Sequence, residues 1–404
     1  MSRDPDAEIQ TASDDSSAAS PRPIRIAFCH YTSDVCGGSD RSLFDLVTHL
    51  DPSAFQTFLL LRRGDPLAPA YREAGCTVAE IPFVAPRRAL EWGKLFRFFF
   101  WFWPHVVYAA WLFRRWNVDM VHVNTLNNLQ GPFGATLSRK PLIWHVRELV
   151  PDSRADRLMR GLVARLATRA VANSPAVAAT LSGVGPRLHT ILNGIDLSEY
   201  PETTPADLSR FQGEPLVLCI GRQEPWKGQH VLVEALPAVL KAHPMARVWF
   251  VGGPAVNKPD YAPALVTRCA ELGISDRVNF TGIRTDIPEL LGQAAVLVLP
   301  SVTAEPFGRT LVEGMAAGCA VVATAAGGPL DIVVDGETGL LVGQDKPEAL
   351  STALITLLDD PERAQRLGIQ GYARAHRHFS LTRLVAEMAT LFTDVYTNAP
   401  PRNT

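Results

Sequence analysis

The feature that most limits the fold is an alternation of short apolar runs with stretches of helical spacing, and this alternation occurs twice. Residues 24–29 form the first apolar run, which leads to a glycine pair, and leucines and valines then recur at helical spacing over residues 39–50. Residues 215–221 restart the pattern with a second apolar run that meets a glycine. Strands that alternate with helices predict mostly parallel sheets covered on both faces. We therefore predict an α/β chain with two doubly wound sheets.

The strands we predict follow this alternation. They are residues 24–29, 57–61, 77–81, 120–123, 142–145, 170–172 and 190–192 in the first series, and 215–221, 248–251, 278–281, 295–299, 320–323 and 340–342 in the second.

The chain length and the polar, proline-containing segments predict the domain organisation. A chain of 404 residues is longer than one hydrophobic core usually includes. We predict a disordered, serine-rich tail over residues 1–23, a first domain over 24–195, a linker over 196–213, a second domain over 214–378, and a helix with a tail over 379–404. The first segment lacks the basic start and apolar run of a signal peptide. Ligands of open parallel sheets bind at the carboxyl ends of the strands, so we expect a site in the cleft between the domains.

Charge and cysteine usage exclude several classes of protein. The formal net charge of −2 provides no general attraction for nucleic acid. The six cysteines form no C-x-x-C pair, so neither a disulfide framework nor a zinc site is predicted. A reduced, cytoplasmic setting fits this pattern best.

An aromatic segment between Leu95 and Phe113 stands apart from the rest of the first domain. It is bracketed by lysine and arginine, but its uncharged part is shorter than the about 20 residues that a spanning helix needs. Pro104 is expected to break or kink it. Three interpretations stay open: a buried core helix, an interfacial element with aromatics in lipid and basic residues at the head groups, and a true span.

Two loops in the second domain carry the candidate chemistry. The first, residues 221–228, places Arg222 and Lys227 on one glycine-bounded turn, where both could reach one phosphate, or else form a basic surface turn. The second precedes a helix predicted to begin at Phe307 or Gly308, whose free N–H groups suit an anion. Glu305 and Glu313 flank that helix start, as hydroxyl ligands or as complements of the helix dipole.

These two loops resemble those of the retaining family 4 glycosyltransferases of GT-B fold. The shared patterns are a G-R-x-x-x-x-K-G loop and two glutamates separated by seven residues before an A-A-G turn. Weaker matches appear in the family's order at residues 37–39, 119–124, 173–174, 193–196, 327–329 and 335–341. Each match alone is unspecific, whereas their joint order over residues 24–378 is specific. The resemblance implies two Rossmann-like domains facing each other across a cleft.

The resemblance also implies roles for individual residues. The catalytic set would be Arg222 and Lys227 on the donor diphosphate, Glu305 on the donor sugar, and His145 beside the reacting carbon at a strand end facing the cleft. Further donor contacts would come from Glu313 at the ribose and from the backbone of Phe307, Gly308 and Arg309. Thr310, Gly37, Gly38 and Gly221 complete the predicted donor-binding set. Arg147 and Glu148 depart from the commonest form of their loop and are weak acceptor candidates.

The family transfers a sugar with retention and without a bound metal or cofactor, and no metal-spaced cluster is visible in the sequence. The resemblance predicts a nucleotide-diphosphate sugar as donor and a glycan or lipid-linked acceptor in cell-surface polysaccharide or glycolipid synthesis. It is compatible with a peripheral position on the inner face of the membrane. A nucleotide-sugar epimerase on a related scaffold and a catalytically inactive nucleotide-sugar-binding protein stay as alternatives.

Overall fold

The computed structural model describes residues 22–31, 37–82, 92–200 and 208–398, with the backbone alone for residues 92–99. Most of the predicted disordered tail, the middle of the predicted linker and residues 399–404 lie outside the described residues. The predicted domain boundaries stay a prediction.

The first half contains a seven-stranded sheet in the order β3-β2-β1-β4-β5-β6-β7, and every recorded pairing is parallel. Its strands are β1 (Ile24–Cys29), β2 (Phe55–Arg62), β3 (Thr77–Ile81), β4 (Met120–Asn124), β5 (Leu142–Val146), β6 (Arg169–Ala172) and β7 (Leu188–Thr190). The connecting helices are α1 (Gly38–Thr48), α2 (Ala68–Glu73), α3 (Trp92–Arg115), α4 (Gln130–Ser138), α5 (Arg154–Leu166) and α6 (Pro175–Ala179). The seventh strand ends at Thr190, two residues earlier than predicted.

The second half repeats the arrangement with six parallel strands in the order β10-β9-β8-β11-β12-β13. Its strands are β8 (Leu216–Ile220), β9 (Arg247–Val251), β10 (Val278–Gly282), β11 (Val296–Leu299), β12 (Ala320–Thr324) and β13 (Leu340–Val342). Its helices are α7 (Gln229–Ala242), α8 (Tyr261–Glu271), α9 (Ile287–Gln293), α10 (Arg309–Ala316), α11 (Pro329–Ile332), α12 (Pro347–Asp359), α13 (Pro361–His378) and α14 (Leu381–Thr397). The predicted α/β class with two doubly wound sheets is confirmed.

Both sheets reverse their strand order at a corresponding place, between β1 and β4 in the first half and between β8 and β11 in the second. Such a switch point opens a crevice at the carboxyl ends of the strands. The core strands are buried on both sides, which explains their continuous runs of valine, leucine and isoleucine.

The last helix returns to the first half. Ile195 N–H donates to Phe379 O at 2.9 Å, and Leu381 N–H donates to Ile195 O at 2.8 Å, so the returning chain lies beside the outgoing one. From there α14 packs Leu384, Met388 and Phe392 into the core beneath the first sheet. The chain therefore crosses between the halves twice at one place.

The aromatic segment forms a single helix, α3, which continues through Pro104. Pro104 lies on the exposed side, where its ring requires no space within the core. The buried side of α3 packs against α4 at Gly134, where an added Cβ would lie 3.0 Å from the Ala109 side chain. The expected break is therefore wrong, because close helix packing holds the segment helical on both sides of the proline.

Candidate functional site

A cavity of about 690 Å³ lies between the two sheets, at the edge where their strands end. Residues from both halves line it, and they follow β1, β4, β5 and β6 in the first half and β8 and β11 in the second. The crevice predicted from strand order is thus the place where side chains of both halves meet.

Close backbone contacts hold the loop after β8. Gly228, which has a φ of 70°, precedes α7, and an added Cβ there would lie 1.9 Å from Pro300 O at the end of β11. Gly221 packs equally closely, because a Cβ on Gly252 would lie 2.2 Å from Gly221 O. These contacts force Lys227 and the loop after β11 into proximity.

The two segments predicted as donor site meet through an ion pair. Lys227 Nζ lies 2.7 Å from Glu305 Oε1, and Ser301 Oγ donates to the same oxygen at 2.5 Å. Arg222 is paired in turn with Glu224, with 3.0 Å between Nε and Oε1. Glu305 is only 4% exposed, so this carboxylate is held in place by its partners.

The helix after β11 begins at Arg309, with Gly308 as its N-cap at a φ of 109°. Only glycine adopts this conformation without strain, and the first-turn N–H groups have no acceptor within the helix. Phe307, Gly308, Arg309 and Thr310 all line the cavity. The predicted helix start, Phe307 or Gly308, is one or two residues early, and the helix start lies at the cavity as expected.

Arg309 links the two halves through its side chain. Its Nε donates to Glu313 Oε1 at 2.8 Å, while its Nη1 donates to Asp45 Oδ2 at 3.1 Å and to Ser42 Oγ at 3.3 Å on α1. Sequence reasoning assigned only the backbone of Arg309. The guanidinium was missed because its first-half partners are far away in sequence.

Residues of the first half form one side of the cavity, the first-half wall, and Arg147 is its central cation. Its Nε donates to Asn124 Oδ1 at 2.6 Å and its Nη1 to Asn193 Oδ1 at 2.5 Å. Burial lowers the pKa of Arg147 to about 10, while the neighbouring Glu148 opposes this shift. Burial also raises the pKa of Glu148, whose carboxylate accepts from Leu126 N–H. Arg147 and Glu148 both line the cavity, where the sequence placed them.

The expected position of His145 at the cleft is wrong. Its side chain is completely buried within β5, in edge-to-face contact with His122 on β4, and it is not among the residues that line the cavity. Burial lowers its pKa well below the ordinary value. His145 still pairs with Val171 inside the sheet, whereas Arg147 lies beyond the strand end and reaches the cavity. The residue of this segment that reaches the cavity is therefore Arg147, two positions after His145.

The glycine-rich loop after β1 is anchored by a buried acid. Asp40 accepts from Gly37 N–H at 2.5 Å and lies 2.5 Å from His30 Nε2, whose other ring nitrogen contacts Asn124 at 3.0 Å. This chain of bonds joins the loop to the network around Arg147. Gly37 and Gly38 line the cavity as predicted.

Asn173 and Asn193 line the cavity, although the sequence indicated them only as parts of motifs. Thr125 also lines the cavity and was not predicted. Thr125 has a φ of 72°, which is unfavourable for a β-branched residue. Such strain is typical of functional sites, yet nothing in the sequence reveals it.

No group of three histidine, cysteine, aspartate or glutamate side chains within the described ranges could hold a metal ion. In the same ranges, no helix is long and apolar enough to cross a membrane.

Two family models match most of the chain. Residues 36–199 match the model described as Glycosyltransferase Family 4, and residues 202–374 match the model described as Glycosyl transferases group 1.

Curated relatives agree with these matches. A D-inositol 3-phosphate glycosyltransferase from Nocardia farcinica is 34% identical over 285 residues, which is 66% of this chain and 60% of the relative. A GDP-mannose-dependent alpha-(1-6)-phosphatidylinositol monomannoside mannosyltransferase from Mycolicibacterium smegmatis is 34% identical over 41% of this chain and 43% of the relative. The matched segments thus span less than two thirds of either relative.

Among solved structures, the Anabaena protein Alr3699/HepE in complex with UDP and glucose superposes with a TM-score of 0.78 at 25% identity. The alignment covers 92% of this chain and 99% of that one. The GT-B architecture expected from the sequence is thereby confirmed.

Proposed function

This chain belongs to the glycosyl transferases group 1 family, and its first half matches glycosyltransferase family 4. From that membership we propose that it transfers a sugar from a nucleotide-diphosphate donor with retention of configuration. The acceptor is a glycan or a lipid-linked molecule of cell-surface polysaccharide or glycolipid synthesis. The inositol phosphate and phosphatidylinositol compounds named for two relatives support an acceptor of this kind.

The observation that carries the proposal is the 2.7 Å pair between Lys227 and Glu305, which joins two predicted donor motifs at one cavity. Arg222 adds a second cation on the same loop. Two cations beside the first-turn N–H groups of α10 form an electrostatic site suited to a diphosphate. UDP, which is bound in the Anabaena structure, is a ligand of this class.

The residues divide the chemistry between them. Arg222 and Lys227 stabilise the negative charge that develops on the departing nucleoside diphosphate. Glu305 accepts hydrogen bonds from donor sugar hydroxyls, and Glu313 accepts them from the ribose. The acceptor hydroxyl attacks the face from which the diphosphate leaves, and a diphosphate oxygen takes its proton. We assign no covalent nucleophile and no resident cofactor.

A panel of nucleotide sugars tests the proposal. Donors are first ranked by thermal stabilisation of the purified protein, because a bound ligand raises apparent stability by mass action. The best donor is then incubated with and without acceptors. Release of nucleoside diphosphate, together with a glycoside product that keeps the anomeric configuration of the donor, supports the proposal. Interconversion of the donor sugar indicates an epimerase, and stabilisation without any turnover indicates a binding protein.

We also propose that the exposed face of α3 contacts the inner surface of the membrane. Four aromatic side chains on this face are at least 47% exposed: Phe100, Trp101, Trp103 and Trp111. Arg114 and Arg115 follow at the end of the helix, and the segment 92–115 contains no acidic residue. An aromatic face with basic flanks suits an anionic bilayer interface.

Sedimentation with vesicles of anionic and of neutral phospholipid tests this contact. We expect binding to anionic vesicles, and its loss when Trp101, Trp103 and Trp111 are replaced by serine, since these side chains extend from the exposed face. Serine at Val256, Val266 and Ile283, which are also exposed, is the matched control. Equal sedimentation of both variants would remove the membrane contact from the proposal.

A further inference from the structure

The five cations that line the cavity in the described part of the chain do not share one type of partner. Arg41, Arg222, Lys227 and Arg309 each pair with a carboxylate. Arg147 instead bonds two neutral amide oxygens, those of Asn124 and Asn193. It is also 5% exposed, so solvent screens its charge little.

Unused hydrogen-bonding groups surround this cation. Within the described residues, Arg147 Nη2, Thr125 Oγ1 and Asn173 Oδ1 are buried and have no hydrogen-bond partner. All three residues line the same cavity. A buried polar group without a partner is unfavourable, and more so when it is charged, so three such groups together on one wall require an explanation.

The backbone adds a second, independent sign. Thr125 follows β4 with a φ of 72°, and its backbone is fixed by bonds to His145 O at 2.9 Å and from Trp144 Nε1 at 3.1 Å. A residue that its surroundings hold in a strained conformation, with a hydroxyl that has no partner at a cavity, is typical of a binding site.

We infer that Thr125, Arg147 and Asn173 form a subsite for an anionic, hydroxyl-bearing acceptor: the guanidinium pairs with a phosphate or carboxylate, and the threonine and asparagine bond adjoining hydroxyls. The inference rests on the proposed function and extends it to the class of acceptor. The donor diphosphate already has Arg222 and Lys227 on the facing half. A guanidinium offers planar paired donors to either anion, so the geometry of the subsite admits both.

Two matched pairs of probes test the subsite and distinguish the anions. D-inositol 3-phosphate is compared with myo-inositol, and glucuronate with glucose, in titration calorimetry of the full chain saturated with UDP or GDP. We expect one anionic member to bind at least about tenfold more tightly than its neutral counterpart, consistent with a charge-assisted hydrogen bond. Preference within the first pair indicates a phosphate, and within the second a carboxylate.

Variants assign the effect to the subsite. Arg147→Met removes the cation at similar volume and is expected to abolish the preference for the anionic probe. Thr125→Gly removes the hydroxyl at a φ that glycine tolerates, so the fold is retained while the probe binds more weakly. Arg210→Met serves as the control. It removes a cation that lies away from the cavity and donates from Nη1 to Gly318 O at 3.2 Å.

The result that overturns the inference is equal binding of the charged and neutral members of both pairs, or a preference that survives Arg147→Met. Donor turnover by the same preparation, followed as release of nucleoside diphosphate, separates this failure from failure of the proposed function. An active transferase without anion preference would refute the subsite alone.

Discussion

The two walls of the cavity are built differently. On the second-half wall, Arg222, Lys227 and Arg309 each meet a carboxylate. Arg222 and Lys227 come from the loop after β8, and Arg309 comes from the first turn of α10. On the first-half wall, Arg147 meets two asparagines, Asn124 at the end of β4 and Asn193 after β7. The second-half cations are already held by carboxylates. The first-half wall adds a buried cation bonded to neutral amide oxygens, beside hydrogen-bonding groups that have no partner.

The difference indicates what each wall has to recognise. A diphosphate is the same in every nucleotide donor, and a fixed set of paired cations can stabilise its departure without reorganisation. Acceptors vary, and recognition of hydroxyls depends on buried polar groups that only the correct ligand satisfies. The following predictions test this division of labour, from the largest expected effect to the smallest.

The largest effect is expected from Lys227→Ala. Loss of one charge-stabilising donor lowers turnover by about 10²-fold or more. Steady-state kinetics with the best donor measures it, and Lys241→Ala, an exposed lysine in the last turn of α7, is the control. Near-normal turnover of Lys227→Ala would contradict the assignment of the donor diphosphate to this loop.

A smaller effect is expected from Glu313→Gln. This change weakens hydrogen bonds to the ribose and also the 2.8 Å contact with Arg309. We expect donor KM to rise about tenfold, the size of a charged hydrogen bond, with a smaller change in kcat. Glu337→Gln in an exposed turn is the control. A donor KM that stays at the wild-type value would contradict the assignment of Glu313 to the ribose.

The contact between the walls is tested by Asp45→Asn. Arg309 then loses its carboxylate on α1, 3.1 Å away, while Glu313 keeps its own contact. We expect kcat/KM to fall about three- to tenfold, and the double variant with Glu313→Gln to show a coupling of about 0.5–3 kcal/mol, as is typical of residues in one network. Strict additivity would mean that Arg309 does not couple the halves.

A separate prediction concerns acid stability instead of turnover. Burial lowers the pKa of His122 to about 3, whereas an unfolded histidine titrates near 6.5. Below pH 6.5 the unfolded state therefore binds more protons, and stability falls as the pH drops toward 3, by at most about 1.4 kcal/mol per pH unit for each such histidine.

Hydrogen exchange at pH 7 and pH 5 measures this difference in each half. We expect β4 and β5 to lose protection before β8 and β11, because the buried histidines lie in the first sheet. His122→Phe, placed among aromatic neighbours Phe28 and Phe392, is expected to reduce the loss, whereas His243→Gln should not. Equal loss in both halves would contradict this account.

The walls also differ in how far the sequence predicts them. Each donor motif is a short continuous stretch, so the strand pattern places Arg222, Lys227 and Glu305 on loops at strand ends of one sheet. Their roles as a donor site came from the family resemblance. The strand alternation likewise predicts both sheets, because buried parallel strands need continuous apolar runs.

The first-half wall could not be predicted in the same way. The resemblance placed His145 at the cleft and left Arg147 as a weak acceptor candidate. Two residues separate a buried strand position from a cavity position, and only the sheet register distinguishes them. The bonds from Arg147 to Asn193 and from Arg309 to Asp45 join residues distant in sequence. No local pattern encodes such contacts.

Titration with UDP and GDP tests the central claim most directly, namely that the second-half wall holds the donor diphosphate. The wild type, the double variant Arg222→Ala with Lys227→Ala, and Arg147→Met are compared by calorimetry. We predict that the preferred nucleotide binds the double variant at least about 10²-fold more weakly, and Arg147→Met within about threefold of wild type, as charged contacts on one wall alone would give. An equal loss in both variants, or a loss confined to Arg147→Met, would contradict the claim.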